Sequence, residues 1–151
     1  MQLLVPGNSA VFTVSDVPAD QFIKKCARHL KDSGFFEIPK WAEYAKSGCS
    51  RELSAHDDDF FYIRAASILR KMAFNAKECG VGRLAHVYGG SQNRGVQPCH
   101  HRMASRKVIR YCIRQLQSME LVEAFGDKQK RRLSVKGQRC IDQIARQCAN
   151  F

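Results

Sequence analysis

A mainly helical fold, of five or so helices with a small β-hairpin and a winged-helix-like core, is what this sequence predicts. Three observations carry that expectation. Apolar residues recur at three- and four-residue spacing along most of the chain. A strand–turn–strand pattern follows the most regular of these helical stretches. The length of 151 residues supports one domain with a real core and is short for two. A single domain over residues 1–151 is therefore expected, with the winged-helix-like part at about 58–150 and N-terminal helices at about 15–48 packed on it.

The first helix is expected to open near Ser15-Asp16, with Pro18 in its first turn and Asp20 complementing the dipole. Phe22, Ile23, Cys26, Ala27 and Leu30 follow at helical spacing, and Gly34 ends it. After an apolar link, Phe35 to Ile38, Pro39 opens a short helix through Trp41, Tyr44 and Ala45 that stops at Gly48. Asp57-Asp58-Asp59 reads as the acidic start of a third helix through Phe61, Ala65, Ile68 and Met72. From Gly80 to Gly95 the glycines multiply, which predicts a short helix followed by an irregular loop. The fourth helix, roughly Ser105 to Met119, has an apolar seam of Val108, Cys112, Leu116 and Met119, widened by Ile109 and Ile113. Leu121 to Phe125 and Arg131 to Val135 then form a hairpin around Gly126, and Ser134 caps a last helix with Cys140, Ile141, Ile144, Ala145 and Cys148 inward.

Charge points to the partner. The chain has 25 basic and 14 acidic residues, a net of +11. Residues 1–75 carry only +1 of it and residues 76–151 the other +10. So lopsided a field attracts a polyanion, because neutralised phosphates release their counterions. An anionic membrane is the weaker choice, since no run approaches the roughly 20 apolar residues that span a bilayer. The stretch Met1 to Gly7 lacks the pattern of a signal peptide, and no lipidation signal is evident, so a cytoplasmic protein is expected. Seven cysteines without framework spacing fit reduced, packed thiols.

On the fourth helix Arg106, Arg110 and Arg114 stack at four-residue spacing opposite the apolar seam, with Lys107 beside them and no acid interleaved before Glu120. A charged helix face is usually a solvated one. Unpaired cations of one sign favour nucleic acid instead. Lys128, Lys130, Arg131 and Arg132 project from the hairpin, so helix and wing together resemble a duplex-binding unit. Arg83, Tyr88 and Arg94 sit in the glycine-rich stretch. Cys99-His100-His101 is the one dense cluster of soft ligands, but adjacent ligands diverge and no Cys-x-x-Cys pair exists, so neither a metal nor a cofactor is expected. The two histidines better suit stacking or hydrogen bonding near RNA. A nucleotide-hydrolase loop would need Gly-Lys-Ser/Thr, which is missing. No paired-carboxylate, serine-nucleophile or activated Cys–His arrangement is visible, so an enzyme is not expected.

Four stretches carry a family resemblance. They are Ile38-Pro39-Lys40-Trp41; Asp59 to Ser67, ending Arg-Ala-Ala-Ser; the glycine-rich Gly80-Val81-Gly82, Val87-Tyr88-Gly89-Gly90 and Gly95-Val96-Gln97-Pro98; and Leu133 to Arg139, with its Gly-Gln-Arg. In order and register they span about residues 12–148, and the chain resembles the eukaryotic and archaeal small-subunit ribosomal protein family nineteen, eukaryote type. The resemblance implies a helical fold with a winged-helix-like core, seated in the head of the 40S subunit on ribosomal RNA, with neighbouring head proteins as further partners. It implies a role in rRNA maturation and subunit assembly, in a cytosolic ribosome with a nucleolar stage. No small-molecule substrate or homo-oligomer is implied. RNA contacts carry over to Arg64 and to His100 through Arg110, which includes His101, Arg102, Ser105, Arg106 and Lys107. The chain departs from the family at Met103, Ala104, Arg114 and Val135, and its hairpin around Gly126 is one residue longer. A winged-helix DNA-binding regulator shares the fold and the charge. It would need polar base-readers on the fourth helix, where Arg and Lys dominate.

Overall fold

The fold is organised around one helix that is apolar on most of its sides. In the computed structural model, which describes residues 13–75, 79–126 and 130–149, this is α2, Phe60–Phe74. Phe61, Ala65, Ala66, Ile68, Leu69 and Met72 are all buried along it. Ala65 and Ala66 have no exposed surface, and their small side chains let neighbouring helices approach closely. α2 packs against α1 (Ala19–Asp32), α4 (Arg106–Ser118) and α5 (Val135–Ala149). Each of these is amphipathic and turns one stripe inward: Phe22, Cys26 and Leu30 from α1, Val108, Cys112 and Leu116 from α4, Ile141, Ile144 and Cys148 from α5.

Between α2 and α4 lie the short α3, Val81–Val87, and the antiparallel hairpin of β1, Gly90–Arg94, and β2, Gln97–Arg102. After α4 comes a second antiparallel hairpin, β3 Val122–Phe125 with β4 Lys130–Leu133, in the register Val122↔Leu133 to Phe125↔Lys130. α3, α4 and this second hairpin make the winged-helix-like part. The wing is tied to the body at its base: Val122 is buried, and Cys79 pairs with Arg131 through two backbone hydrogen bonds, 2.9 and 3.2 Å long. Asp127, Lys128 and Gln129, the expected turn of the wing, lie outside the described residues.

The mainly helical, winged-helix-like expectation holds, with several local corrections. The first helix begins at Ala19 rather than near Ser15-Asp16. Val14–Asp16 forms its own 3-10 turn, closed by the Asp16 carboxylate accepting from the Thr13 amide at 2.9 Å. Val17, preceding Pro18, is held extended, which separates that turn from α1. The helix expected from Pro39 is only a 3-10 turn, Ala42–Tyr44. The loop expected before Gly95 is the β1–β2 hairpin. The Asp57-Asp58-Asp59 run makes no side-chain cap on α2. Asp59 instead holds Lys31 of α1 at 2.8 Å.

Other sequence features acquire reasons. Trp41 sits edge-on to Phe61 and Tyr111, with ring centroids 5.7 and 5.6 Å apart, and the Tyr111 hydroxyl donates to the Glu37 carbonyl at 3.0 Å. Residues 37–41 are thus clamped across α2 and α4. Ser134 caps α5 as expected, its hydroxyl oxygen accepting from the Gly137 amide at 2.9 Å. Val135 occupies the first position of α5, where an amide needs no partner, and it is exposed. α4 ends in a Schellman turn: Leu121 N–H bonds to the Leu116 carbonyl and Glu120 N–H to that of Gln117, with Glu120 in the left-handed region at φ 60°. That turn aims the chain into β3.

Candidate nucleic-acid interface

Helix α4 presents the expected basic stripe. Arg106, Arg110 and Arg114 are all exposed, while Val108, Ile109, Cys112, Ile113 and Leu116 on the other side are buried. Arg110 Nε donates to the Arg106 carbonyl at 3.2 Å, and Arg106 lies 3.4 Å from the Met103 sulfur. Among the described residues no carboxylate pairs with these three. The sequence explains why: residues 79–119 contain seven arginines and lysines and no aspartate or glutamate. Lys107 is placed differently. Its ammonium sits 4.5 Å from the centre of the Trp41 ring, a cation–π contact on the side facing residues 37–41. The N-terminal end of α4 is fixed by the Ser105 amide donating to the Ser47 carbonyl at 2.8 Å, and by the bridge between Gly48 and Ala104, which is itself buried.

The β1–β2 hairpin leads into that end of the helix. Every residue of β2 is exposed, including His100, His101 and Arg102, and so are Arg94 and Val96. Arg102 Nε donates to Gln92 Oε1 at 3.0 Å and Arg94 to Gln97 Oε1 at 2.6 Å, both within the hairpin. Apart from its base, the hairpin packs little against the body, and two strands without a covered apolar face are marginal in water. The base depends on Gly89. A Cβ there would meet the Arg102 carbonyl oxygen at 2.4 Å and the His101 ring at 2.8 Å. His101 in turn lies against His86 of α3, with ring centroids 4.7 Å apart.

Arg64 and Tyr88 meet beside this base. The Arg64 guanidinium lies 4.2 Å from the centre of the Tyr88 ring and 5.2 Å from that of Phe60. Tyr88 is fixed by a 2.8 Å hydrogen bond between its hydroxyl and that of Ser67. Burial pulls the Arg64 pKa below its ordinary value, with the positive charge of Arg51 adding to the effect, and burial pushes the Tyr88 hydroxyl up. Arg51 is a residue that the sequence did not single out. Its guanidinium lies 3.7 Å from where a Cβ on Gly90 would stand, so the loop after Gly48 delivers a further arginine to the hairpin base. Nothing local marks it: the contact joins positions far apart in the chain. Since Arg64 buttresses the ring as well as contributing charge, Arg64→Ala should lower stability by about 1 kcal/mol in a urea melt of the purified protein.

The remaining residues lie on α3 and the wing. Arg132 is engaged with Glu123 across the wing in a 2.5 Å ion pair and stacks over Phe125 at 4.5 Å. Lys130 and Arg131 are half-buried, Arg131 through its pairing with Cys79. Arg83, on the first turn of α3, donates to Asn75 Oδ1 at 3.0 Å and lies near Cys79. By their contacts the expected residues fall into two groups: Arg64, Tyr88, Arg94, His100, His101, Arg102 and Ser105 around the β1–β2 hairpin and its base, and Arg83, Lys130, Arg131 and Arg132 on α3 and the wing.

Soft-ligand chemistry finds no seat among the described residues, where no group of three His, Cys, Asp or Glu side chains converges. Burial pushes the Cys26 and Cys112 thiols up to about 12. They pack as small apolar groups.

The family model described as ribosomal protein S19e matches residues 13–150. The chain is 44% identical over 133 residues to small ribosomal subunit protein eS19B of Schizosaccharomyces pombe, covering 88% of this chain and 92% of that one. It is 40% identical over 134 residues to small ribosomal subunit protein eS19 of Emericella nidulans, covering 89% and 90%. With the protein of that name from Dictyostelium discoideum it shares 37% identity over 135 residues, again 89% and 90%. The chain belongs to the ribosomal protein S19e family.

Proposed function

We propose that this chain is a structural constituent of the small (40S) ribosomal subunit, a non-enzymatic clamp on ribosomal RNA in the subunit head. The observation that carries the reading is the exposed stripe Arg106, Arg110 and Arg114, which no carboxylate neutralises among the described residues. A basic face with no internal counter-charge is complementary to phosphate.

The arginines of α4 take phosphate oxygens. Arg94, His100, His101 and Arg102 on the β1–β2 hairpin reach into RNA, with the imidazoles available to stack on bases. Ser105 offers a hydroxyl at the start of α4. Arg64, pre-oriented on Tyr88, presents a guanidinium already partly stripped of water, and Arg51 joins it. On α3 and the wing, Arg83, Lys130 and Arg131 form a second contact. Lys107 and Arg132 contribute less, since each already has a partner within the chain. No cofactor, metal or small-molecule substrate enters this role, and the chain acts as one domain and as a single copy per particle. By holding head RNA in its folded form, the protein serves rRNA maturation and subunit assembly, with a nucleolar stage before the cytosolic ribosome.

The test is sedimentation of a tagged copy through a sucrose gradient, before and after a high-salt wash. Co-migration with small subunits through the wash is expected. Migration at the top of the gradient, or release by modest salt, would overturn the reading.

A further inference from the structure

The strongly basic chain has an acidic region, and among the described residues it also holds the most exposed large apolar side chains. Residues 32–59 hold seven acidic and three basic residues, a net of −4, against +15 for the rest of the sequence. Within them Phe35 is 74% exposed, Tyr44 83% and Leu53 82%. A cleft of about 210 Å³ opens there, lined by Ile38, Ala42, Phe60 and Phe61, with Glu43, Asp57 and Asp58 at its rim. It shares Ala55, Asp57 and Phe60 with a shallower groove that runs along residues 50–57. Asp59 is occupied by Lys31. No ion pair engages Glu43, Asp57 or Asp58 among the described residues.

We infer that this face seats an extended, basic segment of a neighbouring protein, one that places an apolar side chain in the cleft and its arginines or lysines against Glu43, Asp57 and Asp58. Charge complementarity selects the occupant. RNA is repelled by three unpaired carboxylates, and a second copy of this chain would bring a surface that is mostly positive but folded and convex. An extended basic segment satisfies both the rim and the cleft. The region also has the form of a recognition element: apart from the bridge at Gly48, about 15 residues from Ala45 to Asp59 lie outside any helix or strand, longer than most loops inside a compact domain. Exposed apolar side chains in a segment that also carries unpaired charge mark protein contacts more often than free surface. Two walls of the cleft are held in fixed geometry, Ile38 by the segment clamped through Trp41, and Phe60 and Phe61 by α2. The inference takes its setting from the ribosomal reading above, and its test is arranged to stand apart from it.

The test uses the purified full chain and a fluorescein-labelled peptide alternating arginine and leucine, followed by anisotropy. The overall charge of the protein opposes such a peptide, so saturable binding requires the acidic face. Binding is expected, weakened about tenfold or more by the triple variant Glu43→Lys, Asp57→Lys, Asp58→Lys. These side chains are exposed, so the fold should survive, which a thermal melt checks. Absence of saturable binding, or equal binding by the triple variant, would overturn the inference. In purified small subunits, a photo-crosslinker at Tyr44 should yield an adduct to an arginine- or lysine-rich protein segment, and an adduct to RNA would refute it. Loss of the protein from the subunit fraction would instead strike the ribosomal reading, and the anisotropy measurement then decides this one alone.

Discussion

Replacing Arg106, Arg110 and Arg114 together by Glu should lower RNA affinity by about a hundredfold at physiological salt and abolish incorporation into the small subunit. The size follows from counterion release. Each phosphate contact contributes roughly 0.9 to the slope of log affinity against log salt on a duplex, so losing three lowers the slope by about 2.7 and the affinity at 0.15 M by about two orders of magnitude. The three new carboxylates add repulsion on top. Folding should be little affected, because all three side chains point to solvent and none pairs with an acid among the described residues. A filter-binding titration of head-domain rRNA at several salt concentrations measures both numbers. An unchanged salt slope would mean that this face does not meet phosphate, whatever the subunit gradient shows.

Gly137→Ala should destabilise the protein by roughly 2 kcal/mol net, against the direction that helix propensity gives. Gly137 is the third residue of α5, where alanine would ordinarily be favoured by about 1 kcal/mol. A Cβ there would fall 2.1 Å from the Leu121 carbonyl oxygen and 3.0 Å from its carbon. Both are backbone atoms, and the same oxygen accepts the Ser134 amide at 3.1 Å, so neither side can give way cheaply. Relieving the overlap costs about 3 kcal/mol, which exceeds the gain. For a chain of this size a net loss of roughly 2 kcal/mol lowers the melting temperature by about 4–8 °C. A melt showing stabilisation would mean that α5 can shift away from β3 without penalty.

These two predictions also mark what the sequence discloses. The stripe on α4 was legible because helical periodicity sorts arginine from leucine within a single segment. Gly137 was visible only as part of the Gly-Gln-Arg resemblance, since its reason lies in a carbonyl sixteen positions away. The β1–β2 hairpin escaped for a different cause. Its strands, Gly90 to Arg94 and Gln97 to Arg102, are polar and exposed on both faces, so no alternation marks them, and backbone pairing alone defines them. Arg51 reaches the hairpin base across a tertiary contact that no local pattern encodes. Asp59 misled for the converse reason: its position before a helix fits a cap, yet a lysine from α1 reaches it first. By sequence alone Arg132 is a projecting cation. The register of the wing places Glu123 opposite it, a cross-strand neutralisation that follows once the hairpin is aligned.

If α4 meets RNA as proposed, the spacing of Arg106, Arg110 and Arg114 as separate grips along one rigid helix has a kinetic consequence. A clamp with several grips on one rigid bar lets go only when all release together. While one holds, another searches a small volume in which RNA is present at an effective concentration in the millimolar range, so it rebinds before the particle can diffuse away. Individually weak grips then yield slow departure. Shortening or bending the bar, without touching any contact residue, would convert the same charges into a ligand that comes and goes.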